Sequence, residues 1–276
     1  KTTGDDYATE WATLGGGGGG GDTGAQGVSF YSGTEFPVTY NIGDSFLDLN
    51  DGSVYKAEET TSSASVTTLA GTGGIGSADG TGTFASFYYP YSVTADTSGN
   101  LFVADTGNNN IRKIVISSGE VTTLAGINAP TSVAVDTSGN LFVVEQSNHY
   151  IAKILISTGE VTTLAGSGSG GFQDGTGTSA IFYNPTGVAV DTSGNLFVAD
   201  QTNHRIRKIV ISTAEVTTFA GSGGQAFEDG IGTSATFNFP FGLCVDTTGN
   251  LFVADTHNHS IRQIAPTSLT WTKTGS

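Results

Sequence analysis

The octapeptide Asp191-Thr-Ser-Gly-Asn-Leu-Phe-Val198 also stands at Asp96 to Val103 and Asp136 to Val143, and Asp246 to Val253 repeats it with one change. A chain that writes one short unit at regular spacing cannot fold around a single compact core, because each unit is too small to bury its own apolar face. Pro90, Pro130, Pro185 and Pro240 open the copies at intervals of 40, 55 and 55 residues, and Asp105, Glu145, Asp200 and Asp255 follow at the same intervals. The unit is therefore about 40 residues, with roughly 15 more inserted before the third and fourth copies.

Within a unit, short apolar runs alternate with turn residues. Gly187-Val-Ala-Val190 leads into Asp-Thr-Ser-Gly-Asn, where Gly and Asn tolerate positive φ. Leu196-Phe-Val-Ala199 is continuously apolar, as expected of a strand covered on both faces. Gln201-Thr-Asn-His204 turns into Ile206-Arg-Lys-Ile209, and Ser212-Thr-Ala-Glu215 into Val216-Thr-Thr-Phe219. Four antiparallel strands per unit predict one blade of a β-propeller.

The run from Pro185 to Ile209 resembles the NHL-repeat family, with Gly187-Val-Ala-Val-Asp191, Gly194-Asn-Leu-Phe-Val-Ala-Asp200 and Asn203-His-Arg-Ile-Arg-Lys-Ile209 in the family order. The resemblance spans about residues 72 to 265 and implies an all-β propeller with four NHL-type blades over 72–276. A degenerate first blade over 28–71 would make five. Gly43-Asp-Ser-Phe-Leu-Asp48 aligns with Gly99-Asn-Leu-Phe-Val-Ala104, and Val66-Thr-Thr-Leu-Ala-Gly71 repeats Val121 to Gly126 letter for letter. With Val28-Ser-Phe-Tyr31 as innermost strand and Leu269-Thr-Trp-Thr-Lys273 as the last blade's fourth, the ring would close without exchanging a strand between its ends.

Residues 1–27 read differently. Gly15, Gly18, Gly21, Gly24 and Gly27 keep glycine at every third position, the register in which only Gly fits the axis of a three-chain helix. A flexible glycine tether is the other reading. Lys1-Thr-Thr-Gly-Asp-Asp-Tyr-Ala-Thr-Glu-Trp11 is similar to a segment of bacteriophage tail-fibre proteins. The Gly-x-x tract and Ile42 to Lys56 are similar to collagen-like shafts and modules of phage fibres and bacterial surface proteins. That resemblance implies a homotrimer, with 28–71 either a fibre-type module or the degenerate blade. Met is absent, and a chain opening at Lys1 inside such a motif is expected to be part of a longer polypeptide.

Ten Lys and Arg against 25 Asp and Glu give a net charge of −15, which repels nucleic acid and anionic membrane surfaces. No apolar run is long enough to span a bilayer, and the single Cys244 excludes an intramolecular disulfide framework. No cofactor is expected. Nothing resembles a nucleophile–base pair, a phosphate loop or a CxxC site.

The insertions hold the candidate ligand-binding residues. Asp79, Asp174 and Asp229 each sit in an Asp-Gly-x-Gly-Thr loop beside aromatics that include Tyr88, Phe172, Tyr183 and Phe227. Rings that stack on a sugar face and carboxylates that accept its hydroxyls suit glycan recognition. Alternatively, the rings pack beneath the loop and the acids close turns. His149, His204 and His259 occupy one repeat position and suit capping of a tight bend, while His257 with His259 could hold a metal. The strand-end acids suit pairing with Arg112, Arg207 and Arg262, or a calcium ring at the axis. These readings point to a virion fibre or similar extracellular appendage that presents loops to a host surface or glycan. A secreted bacterial filament or adhesin subunit, and a metal-dependent propeller lyase or hydrolase, are the alternatives.

Overall fold

The computed structural model describes Val28–Tyr31, Ser45–Asp48, Val54–Lys56 and residues 65–265. The chain divides into two units, residues 1–66 and 67–276. In the first, β1 (Val28–Tyr31), β2 (Ser45–Asp48) and β3 (Val54–Lys56) form a sheet in that order. β1 runs parallel to β2, and β2 antiparallel to β3. This differs from the expected first blade, since a propeller blade is an antiparallel meander throughout. The expected fourth strand at 66–71 is irregular backbone, with no strand to pair against among the described residues. The Gly-x-x tract with Gly15, Gly18, Gly21, Gly24 and Gly27, and the expected strand Leu269 to Lys273, lie outside the described residues.

The second unit is four successive propeller blades. Blade I contains β4 (Gly80–Thr81), β5 (Pro90–Ala95), β6 (Asn100–Asp105), β7 (Asn110–Val115) and β8 (Glu120–Gly126). Blade II contains β9 (Pro130–Val135), β10 (Asn140–Glu145), β11 (Tyr150–Leu155) and β12 (Glu160–Ala165). Blade III contains β13 (Gly175–Thr176), β14 (Pro185–Val190), β15 (Asn195–Asp200), β16 (Arg205–Val210) and β17 (Glu215–Ala220). Blade IV shows β18 (Pro240–Val245), β19 (Leu251–Asp255) and β20 (Ser260–Ile264). Each meander is antiparallel from its proline strand outward, and in blades I and III the insertion returns as a two-residue fifth strand on the outer edge.

The repeated Asp-Thr-Ser-Gly-Asn is a turn closed by its own side chains. Asp96 Oδ1 accepts the Ser98 and Asn100 N–H groups at 2.9 and 2.8 Å, and Oδ2 accepts Asn100 Nδ2 at 2.8 Å. Gly99, at φ +83°, turns the chain where a Cβ would be strained. The same bonds recur at Asp136, Asp191 and Asp246. At Asp246, hydrogen bonds from the Asn250 and Thr248 side chains hold the carboxyl down at about 2.

Neighbouring blades bury each other. Phe102, Ala104 and Ile111 of blade I meet Val133, Leu141, Val143 and Ile154 of blade II. Phe142, Val144 and Ile151 meet Val188, Leu196 and Val198 of blade III, and Phe197, Ala199 and Ile206 meet Leu251 and Val253 of blade IV. Burial is worth about 1.5–3 kcal/mol per large side chain, so each boundary outweighs what a lone blade could hold. The innermost strands stand in the order β5, β9, β14, β18, and β18 packs on β14 rather than on β5. Among the described residues the four blades form a successive array, and closure of the expected five-bladed ring lies outside them.

Inner strands are also tied across the boundaries. The Val133 N–H donates to Ser92 Oγ and the Val188 N–H to Ser132 Oγ, both at 3.2 Å. At the next boundary the serine position is Gly187, where a Cβ would drive into the Phe241 carbonyl oxygen. Gly187→Ala should destabilise the protein by about 1–3 kcal/mol, as forced overpacking does, and Gly242→Ala, whose Cβ would meet only Ala254 at an ordinary 3.9 Å, far less. Urea unfolding of the two variants measures the difference.

Candidate functional site

In blades I, III and IV the acid that ends the second strand is buried and receives a convergent set of donors. Asp105 Oδ1 accepts the Tyr88 N–H at 2.8 Å, while Oδ2 accepts Asn108 Nδ2 at 2.8 Å and Arg112 Nη1 at 2.9 Å. Asp200 takes Tyr183 N–H, Asn203 and Arg207, and Asp255 takes Asn238 N–H, Asn258 and Arg262, at 2.7–3.0 Å. The burial of Asp200 outweighs these donors and raises its pKa above the usual carboxylate range. Asp105, Asp200 and Asp255 thus sit inside blades on arginines, as pairing required, and not as a ring at the axis.

The other half of each guanidinium reaches the insertion loop. Arg112 Nη2 binds Asp79 at 2.7 Å, Arg207 Nη2 binds Asp174 at 2.6 Å and Arg262 Nη2 binds Asp229 at 2.7 Å. Loop carbonyls take the same nitrogens: Ser86 and Ala78, Ile181 and Gln173, Thr236 and Glu228, at 2.8–3.1 Å. One planar cation therefore joins a buried strand-end acid, a loop acid and two loop carbonyls. A guanidinium offers this fixed fork of donors; an ammonium does not. Hydrogen bonds from Thr123 and Arg112 overcome partial burial and hold Asp79 below the usual range.

The loop aromatics stack on these cations. Arg207 lies 4.9 Å from the Phe172 ring and 5.1 Å from Phe182, and Arg262 lies 4.9 Å from Phe227 and 5.3 Å from Phe237. Arg205 lies 3.9 Å from Phe172. Phe182 and Phe237 are buried beneath the loops, whereas Phe172 and Phe227 keep 45% and 60% of their surface in water. Tyr183 meets His149 edge-on at 5.6 Å, and Tyr88 lies 4.7 Å from Tyr89. The candidate residues Asp79, Asp174, Asp229, Tyr88, Phe172, Tyr183 and Phe227 are thus divided among three separate loops, each pinned to its own blade.

Blade II shows what the arginine is for. It has no insertion, Ala152 stands in the arginine position, and Glu145 replaces the acid. Glu145 Oε1 accepts the Asn128 N–H at 3.0 Å, but Oε2 is buried with no partner among the described residues. Burial, then the nearby Glu145 carboxylate, raises the Tyr150 phenol. Loop and arginine are absent together: without the loop, a guanidinium here would hold buried N–H donors that no loop acid or carbonyl accepts. The three-way lock was missed in the sequence reading, although arginine occurs only in the units that carry Asp-Gly loops.

The shared histidines do not cap their own bend. His149, His204 and His259 adopt left-handed backbone, and the ring Nδ1 of His149 accepts the Asn184 N–H and that of His204 the Phe239 N–H, both at 3.1 Å and both in the next blade. Asn109 Oδ1 does the same for Ala129 at 2.8 Å. His257 stacks on Phe239 at 4.5 Å. Among the described residues no three His, Cys, Asp or Glu side chains gather with metal-binding geometry, and no helix is long and apolar enough to cross a membrane.

Comparison with known proteins agrees with this architecture. The NHL repeat pattern matches residues 182–209 and 237–264. The chain is 39% identical over 94 residues to Protein SUPPRESSOR OF QUENCHING 1, chloroplastic, of Arabidopsis thaliana, covering 34% of this chain and 9% of that protein. It is 44% identical over 92 residues to NHL repeat-containing protein 2 of Bos taurus, covering 32% of this chain and 13% of that one. It thus spans about a tenth of the length of these curated relatives. In the fold comparison, an auxiliary nutrient binding protein from Bacteroides ovatus matches with a TM-score of 0.58 at 19% identity, over 67% of this chain and 50% of that one.

Two outcomes test the site. Arg207→Ala leaves Asp200 buried and unpaired and should cost about 3–5 kcal/mol, with early proteolysis at 167–184; Asp174→Asn, at a half-exposed carboxylate, should cost under about 1 kcal/mol. Burial, then the charge of Arg205, depresses His204 below the usual histidine range. Because the folded pKa is the lower one, its contribution is complete above about pH 6.5 and is lost as pH falls toward the folded value. Thermal unfolding between pH 7 and 5.5 should show this loss, and His204→Asn, the counterpart of Asn109, should flatten it.

Proposed function

We propose that this chain, built of NHL repeats in four propeller blades, is a recognition module that presents its insertion loops to a glycan or receptor on a cell surface. The observation that carries this reading is the loop design of blades III and IV. An exposed phenylalanine is stacked on a cation, beside a loop acid that keeps solvent-facing surface, so the recognition groups are ordered before a ligand arrives. Asp229, 93% exposed at its side chain, is the most available acceptor for a sugar hydroxyl. The arginines and strand-end acids serve as supports for those loops.

The Gly-x-x register at Gly15 to Gly27 and the fibre-like opening segment support an extracellular appendage as the setting, either a virion fibre or a bacterial surface filament, with the module carried on a homotrimeric stalk. In this reading the blades do no chemistry of their own.

Glycan-array binding and whole-cell adhesion test the proposal. Phe172→Ala and Phe227→Ala should each weaken binding about tenfold, near 1.4 kcal/mol, while leaving the thermal midpoint within a few degrees. Absence of binding to any glycan or cell surface, or turnover of a substrate by a metal-loaded chain, would overturn it.

A further inference from the structure

The three internal blade boundaries are copies of one interface, and the ends of the array expose its two halves. On one side of those boundaries Ile111, Ile151 and Ile206 are fully buried, whereas Ile261, in the same position of blade IV, is 74% exposed. On the other side Val133 and Val188 are 5% and 4% exposed, whereas Val93 of blade I is 60% exposed. The polar ties are halved in the same way. His259 has the left-handed backbone of His149 and His204, but among the described residues its ring accepts no N–H. Tyr89 shares the positive φ of Asn184 and Phe239, and its N–H has no acceptor among the described residues. Thr106 Oγ1 crosses a boundary to the Pro130 carbonyl at 2.5 Å, while Thr256 reaches only its own Ala254 carbonyl at 3.4 Å.

The outer edge repeats the pattern. Blade IV has three strands among the described residues. Residues 67–71, Thr-Thr-Leu-Ala-Gly, repeat 122–126 and lie against blade I where a preceding blade's fourth strand would lie. The Gly71 N–H donates to the Gly82 carbonyl at 3.0 Å, as Gly166 does to Gly177 and Gly221 to Gly232 at 3.1 Å, and Ala70 packs on the Val103, Ile114 and Val121 cluster. Among the described residues, one end thus shows no fourth strand and the other holds one in place.

We propose that blade IV of one copy docks on blade I of a second copy, head to tail, and that residues 67–71 of the receiving chain supply the fourth strand of the incoming blade. Ile261 and Phe252 would meet Val93 and Leu101, His259 would accept the Tyr89 N–H, and Thr256 would donate to the Pro90 carbonyl. The contact is heterologous, because two different surfaces of the same chain meet.

Cross-linking of the full chain tests this in a Cys244→Ser background. Ser132, the counterpart of Gly242, accepts the N–H of Val188, the counterpart of Val93, at 3.2 Å. A mixture of Gly242→Cys and Val93→Cys chains should therefore form a two-chain disulfide on mild oxidation, and neither variant should do so alone. Adding Ile261→Asp to the Gly242→Cys chain, at a side chain already in water, should reduce the yield at least tenfold. The proposal is overturned if the mixture does not cross-link, if either single variant links to itself, or if a chain carrying both substitutions closes only within itself. A stalk trimer through residues 15–27 would change the mass without linking these positions, so its success or failure is read separately.

Discussion

A single blade of this protein is one sheet thick and apolar on both faces, so it cannot keep its core dry without a neighbour on each side. That constraint governs the molecule. Phe102, Phe142 and Phe197 point to the next blade and are buried by it, and the valines and leucines of the following blade complete the contact. Because the same contact is made three times, its residues recur in register, and the first and last blades carry the unmatched halves. Stability in such an array comes mainly from its boundaries.

The arginine locks solve a second problem set by the first. Long insertions at the outer edge would be loose, yet here one guanidinium ties each to a buried acid and to two of its own carbonyls. Removing a charge from water is costly, and the arrangement holds because nearly every donor finds an acceptor, the buried Nε of Arg112 and Arg207 excepted. Blade II, lacking the loop, lacks the arginine as well. The result is a set of ordered aromatic and acidic surfaces on a rigid frame.

Much of this was legible in the chain itself. The Asp-Thr-Ser-Gly-Asn turns, the two-sided apolar second strands and the strand-end acid paired with arginine are local, and local interactions leave a pattern that repeats with the unit. The histidine contacts were not legible in the same way. A ring that accepts an N–H from the next blade looks identical in sequence to one that caps its own turn, since both need only a residue that tolerates left-handed backbone. The loop acid's attachment to Arg207 spans 33 residues, an interval shared by Arg112 and Arg262, but a constant interval between distant residues does not by itself show that they touch.

The degenerate first blade shows the limit most clearly. Residues 66–71 copy 121–126 letter for letter, yet only the later copy forms a strand, because only it has an antiparallel partner among the described residues. Sequence by itself determined the all-β class, the repeat length, the turn chemistry and the identity of the buried faces, since these depend on side-chain period and backbone preference. Tertiary structure alone decided which blade meets which, where the array ends, and that each loop is held by an arginine rather than left open. Those depend on contacts between residues distant in the chain, whose free energy exists only once the blades are side by side.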